Sequence, residues 1–150
     1  MTRPTYENDD TRKYERFFLF LFPGYQKVYK TYGFDFCDVN SARIAEFKTR
    51  NYRMGDIPEG KVLLALHKVV NMLQYKRETG YTAHLYFMFR DKLATIEVKS
   101  AQPIRIMGRT DRNDPGDVEP CVLFDTKDMQ VLLSEEELGE EYSRFAAQIA

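Results

Sequence analysis

Three residues of this sequence have the types and spacing to handle a hard divalent cation beside a phosphate: Asp35, Glu46 and Lys48. Carboxylates are the oxygen donors that Mg²⁺ or Mn²⁺ prefers. A neighbouring lysine can position or activate a water, or steady charge that develops on phosphate oxygens. Hydrolysis of a phosphodiester is the chemistry such a set could do, provided that all three side chains share one face. Glu46 and Lys48 meet that condition in a strand, because side chains two residues apart point the same way.

Positioning Asp35 falls to a hairpin. Phe34 to Val39 and Ala42 to Lys48 are β-prone runs separated by Asn40-Ser41. A two-residue reversal sets Val39 against Ala42, Asp38 against Arg43, Cys37 against Ile44 and Asp35 against Glu46. Opposed residues stand about 4.5–5.5 Å apart at Cβ, close enough for two carboxylates to share one ion. The plain alternative for Glu46 and Lys48 is an exposed cross-strand ion pair. Glu97-Val98-Lys99 repeats the acidic-x-Lys pattern, but its only nearby upstream acid, Asp91, belongs to its own turn. That second copy reads as a solvent-facing strand edge.

Around the hairpin the pattern is that of an α/β chain. Asn8 to Thr11 offer N-caps for a helix over 12–22 that Pro23-Gly24 stops. Tyr25 to Lys30 alternates as a strand. Asp56 reads as the cap of a helix with Pro58 and Glu59 in its first turn, Gly80 at its end and a buried stripe of Val62, Leu66, Val69, Val70 and Leu73. Thr82 to Phe89 and Leu93 to Lys99 form a second hairpin through Arg90-Asp91-Lys92. Residues 108–120 have loop chemistry, Cys121 to Phe124 form a short strand, and Ser134 with Glu137 makes a capping box for a last helix docked by Leu138, Tyr142 and Phe145. No internal repeat or linker interrupts the chain, so one domain over 1–150 is expected.

The order helix, three-strand meander, helix and strand, with Gly33-Phe34-Asp35 and Ala45-Glu46-Phe47-Lys48 at its centre, resembles the PD-(D/E)XK nuclease superfamily. Phe34 stands where the proline of that motif would be. The resemblance implies a restriction endonuclease-like core and Mg²⁺- or Mn²⁺-dependent hydrolysis of nucleic acid, DNA foremost. It places the metal at Asp35, Glu46 and Phe47, with Lys48 as the catalytic lysine. By the same resemblance the first helix would add Glu15, and the helix after the third strand would add Lys68. Arg50, Asn51 and Arg53 follow the motif strand and are placed to meet a nucleic-acid backbone, and Arg109 and Arg112 could grip phosphate from the long loop. Pairing of two chains to cut both strands stays open. A compact enzyme of this kind fits a phage or mobile element by analogy with the family.

Composition narrows the field. Hydrophobic residues make up 43% and charged residues 30% of 150, as in a folded globular protein. The longest apolar run, 17–22, has six residues against about 20 for a membrane span, and no secretory leader pattern is present, so no membrane and a cytoplasmic setting are expected. The net charge is −1, yet residues 43–109 carry thirteen basic against six acidic side chains, an excess that could face phosphate. Cys37 and Cys121 read as reduced thiols, and His67 and His84 lack the context of a zinc site or a nucleophile's base. Asp111, Asp114 and Asp117 lack the spacing of a calcium loop and read as Asx turns. The contrasting function is a non-catalytic nucleic-acid-binding or protein-binding, inhibitory module on the same fold, suggested by the near-zero net charge and the acidic last helix.

Overall fold

The computed structural model describes residues 9–28, 33–99, 104–108 and 118–149. Helix α1 spans Asp9–Leu21 and is followed by the antiparallel meander β1 (Gln26–Lys27), β2 (Phe36–Asp38) and β3 (Arg43–Thr49). Next come β4 (Lys61–Ala65), α2 (Leu66–Thr79), β5 (Thr82–Met88) and β6 (Leu93–Glu97). β7 (Ile104–Gly108), β8 (Val118–Asp125), β9 (Gln130–Leu133) and α3 (Glu135–Ile149) complete the described elements. A six-stranded mixed sheet runs β1-β2-β3-β5-β6-β9, and a three-stranded sheet runs β4-β8-β7.

The central pair, β3 and β5, is parallel, and a crossover through β4 and α2 connects it. Strands at such a position are covered on both faces, so β3 reads as nearly continuously buried from Ile44 to Phe47. One face packs on α1 and α3, where Phe17, Phe18, Leu138 and Phe145 meet Phe36, Ala45, Phe47 and Tyr86. The other face packs on α2 and the small sheet, where Val62, Leu64, Val69, Met72, Val122 and Phe124 meet Ile44, Leu85 and Phe87. Glu46 and Lys48 share the parity of Ile44 and point into this second layer.

Two sequence expectations are corrected. The helix expected from Asp56 begins only at Leu66: Asp56 ends a 3₁₀ turn over Met54–Asp56, Pro58–Gly60 forms another, and Lys61–Ala65 is a strand paired with Cys121–Asp125. Val62 and Leu64 alternate inward as strand residues, and a partner strand some sixty residues away overrode the local helical period. Val70, expected in the buried stripe, is 49% exposed, and Met72 is buried in its place. The end at Gly80 stands: its φ of 79° is left-handed and its N–H donates to the Lys76 carbonyl.

Within 25–28 only Gln26 and Lys27 pair as strand, and residues 29–32 lie outside the described set. β7 and the start of β8 occupy ground read as loop or left unassigned, while 109–117 are not described. The last helix begins as expected: Ser134 Oγ accepts the Glu137 N–H at 3.2 Å, and Glu137 Oε1 accepts the Ser134 N–H at 3.0 Å.

Candidate active site

The hairpin that carries the acids has the register expected from its turn. Asp38 pairs with Arg43, Cys37 with Ile44 and Phe36 with Ala45. The reversal is closed by Asp38, whose buried carboxylate accepts the Ser41 N–H at 3.1 Å and an Arg43 N–H at 3.3 Å. Together these donors hold the Asp38 carboxyl below the usual carboxylate range, with the Ser41 backbone as the largest cause. Asp38 was not singled out as a site residue in the sequence; an Asx residue just before a turn was the available signal.

The paired register ends at Phe36, and Asp35 lies one residue beyond it. Its N–H donates to the Ala45 carbonyl at 3.1 Å and its Oδ2 accepts the Phe47 N–H at 3.0 Å. Asp35 therefore binds both residues that flank Glu46. In extended chain the N–H and C=O of one residue leave the strand on the same edge, so the Phe47 carbonyl faces the Asp35 side as well. Gly33 makes the approach to Asp35 feasible. It has a φ of 77°, and a Cβ placed there would lie 2.3 Å from Asn71 Nδ2 on α2.

Glu46 has no exposed surface. Its Oε1 is 2.5 Å from Lys68 Nζ and 3.6 Å from Lys48 Nζ, while its Oε2 is buried without a hydrogen-bond partner. Burial is the main reason its pKa is pushed up to about 7; Lys48 and Lys68 oppose that shift, and the neighbouring Asp35 carboxylate adds to it. Burial also pulls Lys48 below the ordinary lysine value, with Lys68 and Arg50 acting in the same direction against Glu46 and Asp35. The exposed ion pair considered for Glu46 and Lys48 is thus not what the chain builds.

The other expected site residues divide. Lys68, on the first turn of α2, is brought onto Glu46. Arg50 donates to the Leu63 carbonyl at 3.0 Å and lies over the Phe87 ring, joining the end of β3 to β4. Glu15 pairs with Lys27 of β1. Asn51 accepts from Arg90, and Arg53 donates two bonds to Glu135 of α3 and faces Asp91 at 3.7 Å. Arg109 and Arg112, like Asp111, Asp114 and Asp117, fall outside the described residues. The second acidic-x-Lys copy is placed differently, with Glu97 facing Lys76 at 3.7 Å.

The donor set suits a hard cation. Two carboxylates and a backbone carbonyl would offer oxygen donors, Mg²⁺ keeps several of its own waters, and the orphaned Oε2 of Glu46 is a buried acceptor that calls for a positive partner. Among the described residues no cluster of three or more His, Cys, Asp or Glu side chains exists, so a site here would rely on two acids, the carbonyl and solvent.

No curated protein sequence matches the chain. Among solved structures it is similar to Hjc of Archaeoglobus fulgidus, a Holliday junction resolvase, with a TM-score of 0.56 and 16% identity over 83% of this chain and 93% of that one. At that identity the likeness concerns the fold, and it bears out the restriction endonuclease-like core. The family model described as "Phage putative PDDEXK endonuclease" matches residues 1–132. By that match, and by an acidic-x-Lys strand set beside Asp35 in the expected fold, the chain belongs to this PD-(D/E)XK endonuclease family.

Proposed function

We propose that this protein, acting as one domain, is a divalent-metal-dependent endonuclease that hydrolyses phosphodiester bonds of DNA. The observation that carries the reading is the buried Glu46 carboxylate beside Asp35, with Oε1 facing Lys68 and Lys48 and Oε2 meeting no hydrogen-bond donor. A purely structural carboxylate at this depth would have both oxygens satisfied. Asp35, Glu46 and the Phe47 carbonyl would hold Mg²⁺ or Mn²⁺. When bound, the ion offsets phosphate charge and lowers the pKa of water.

The chain's own groups supply the rest. Lys48 Nζ, held below the ordinary lysine value, is suited to orient the attacking water and take its proton. Asp35 fixes the strand edge on which Glu46 is presented. The ammonium of Lys68 and the guanidinium of Arg50 add positive charge where a phosphate would approach. DNA as the polymer is supported by the likeness to a protein whose title names it a Holliday junction resolvase. The described residues carry one such site, so cutting two strands would call for two copies. No described helix is long and apolar enough to cross a membrane, and the setting we propose is the cytoplasm.

A plasmid-nicking assay with Mg²⁺ or Mn²⁺ tests the proposal. Metal-dependent nicking is expected, and Asp35→Ala or Lys48→Ala should lower it by roughly two orders of magnitude or more. Cleavage that survives both substitutions, or that proceeds equally in EDTA, would overturn the roles given to these residues. The non-catalytic alternative gains nothing from the site, because a binding module has no use for a desolvated acid with one open oxygen.

A further inference from the structure

The closest polar contact on Glu46 comes from outside the acidic-x-Lys motif. Lys68 Nζ lies 2.5 Å from Oε1, more than an ångström nearer than Lys48 Nζ at 3.6 Å. Both ammonium groups thus converge on one oxygen, and the other oxygen is left buried and unpartnered. A fully desolvated carboxylate needs a compensating cation, and Lys68 supplies one in the protein as it stands.

The arrangement is lopsided in a telling way. Both lysines face Oε1 of Glu46, whereas the Asp35 Oδ2 is engaged by the Phe47 N–H. An ion held by Asp35 and Glu46 together would bring two further positive charges next to Lys68 and Lys48. Like charges at such range repel strongly in a buried setting. Lys68 is the group able to yield. The two lysines are equally exposed, at 28% and 29%, but Lys48 extends from a central strand of the sheet whereas Lys68 stands on the first turn of α2, where a four-carbon stem lets the ammonium swing outward while the backbone stays in place.

We propose that Lys68 is a displaceable counter-ion: in the metal-free protein its ammonium occupies Glu46, and binding of a divalent cation releases it toward the incoming phosphate. The proposal rests on the assignment of Asp35 and Glu46 as divalent ligands. It makes Lys68 a positioning residue in the free protein and a phosphate-facing one in the loaded protein, so that metal loading itself arms the site for an anion.

Per-residue amine acetylation read by mass spectrometry tests this on the full chain, in EDTA and across a Ca²⁺ titration, with isothermal calorimetry of the same titration. Lys68 acetylation should rise several-fold with a midpoint at the calorimetric Kd, while Lys127, 85% exposed, stays constant as the internal reference. Lys68→Met should bind Ca²⁺ several-fold more tightly, because no ammonium has to leave. Ion binding by calorimetry with unchanged Lys68 acetylation, or with unaltered or weaker affinity in Lys68→Met, overturns the counter-ion role and leaves the metal site standing. A wild-type protein that binds neither Ca²⁺ nor Mn²⁺ overturns the metal site and the counter-ion role together.

Discussion

The Asp35 carboxylate accepts the backbone N–H of Phe47 at 3.0 Å, a side chain completing a strand edge where β2 has already ended. Because the Asp35 N–H also reaches the Ala45 carbonyl, Glu46 is gripped through both of its chain neighbours. The acid of the acidic-x-Lys motif is thus presented by a second acid.

Glu46 gives the metal-free protein a characteristic pH response. Its pKa is raised from 4.5 to about 7 on folding, so between those values the folded state binds more protons than the unfolded one. Stability should therefore fall as pH rises through that window. Thermal melts in EDTA from pH 4.5 to 7.5 should show the decline, and Glu46→Gln should flatten it. A divalent ion at a hundred times its Kd should raise stability by about 2.7 kcal/mol at neutral pH. Equal slopes for both proteins would contradict the assignment.

Asp38 responds in the opposite sense. Its carboxyl is depressed by Ser41 and Arg43, so its contribution is present above the ordinary carboxylate value and is lost as pH falls through the lower folded value. Asp38→Asn should therefore melt earlier than wild type at pH 6, with the gap closing toward pH 2.5. A gap that stays constant across that range would show that the turn does not depend on the charge.

Gly33→Ala should cost about 1–3 kcal/mol, since a φ of 77° is strained for any residue with a Cβ. The added methyl would also press on Asn71, with Nδ2 at 2.3 Å and both Cβ and Cγ at 3.0 Å. Gly33→Ala with Asn71→Ala should recover the steric part of the loss and leave the backbone part. Chemical denaturation of the two variants separates these contributions; no recovery at all would mean that the contact with α2 is unimportant.

Phe18 is the hub of the layer behind the site, with ring centroids of Phe36, Phe47 and Tyr86 at 4.7, 4.9 and 5.0 Å. Phe18→Ala should destabilise the fold by about 3–5 kcal/mol through the cavity it leaves. Phe18→Leu should lose less. Urea midpoints of both variants check the order, and a mild loss in the alanine variant would mean that α1 closes the gap.

The motif hairpin was legible in the sequence because two β-prone runs met at a reversal short enough to fix the register, and period two did the rest. Residues 61–65 were not, since Lys61-Val62-Leu63-Leu64-Ala65 leads into Leu66 and Val69 with spacings that satisfy a helix equally well. Only pairing with Cys121–Asp125, beyond α2 and strands β5, β6 and β7, decides for a strand. Lys68 could be assigned to the site through the family resemblance, but its grip on Glu46 depends on where α2 starts. Arg53 looked equally available for nucleic acid, and its bidentate partner Glu135 lies 82 residues downstream, out of reach of any local pattern.

The β4–α2 junction has a consequence for how the site is assembled. Glu46 belongs to the six-stranded sheet, whereas Lys68 follows directly from a strand of the other sheet, whose Ala65 is paired with Cys121. Their 2.5 Å contact can form only after α2 has docked on the six-stranded sheet. A half-assembled chain thus carries the acids but not the lysine opposite them, and completion of the tertiary structure and completion of the charge balance are one event.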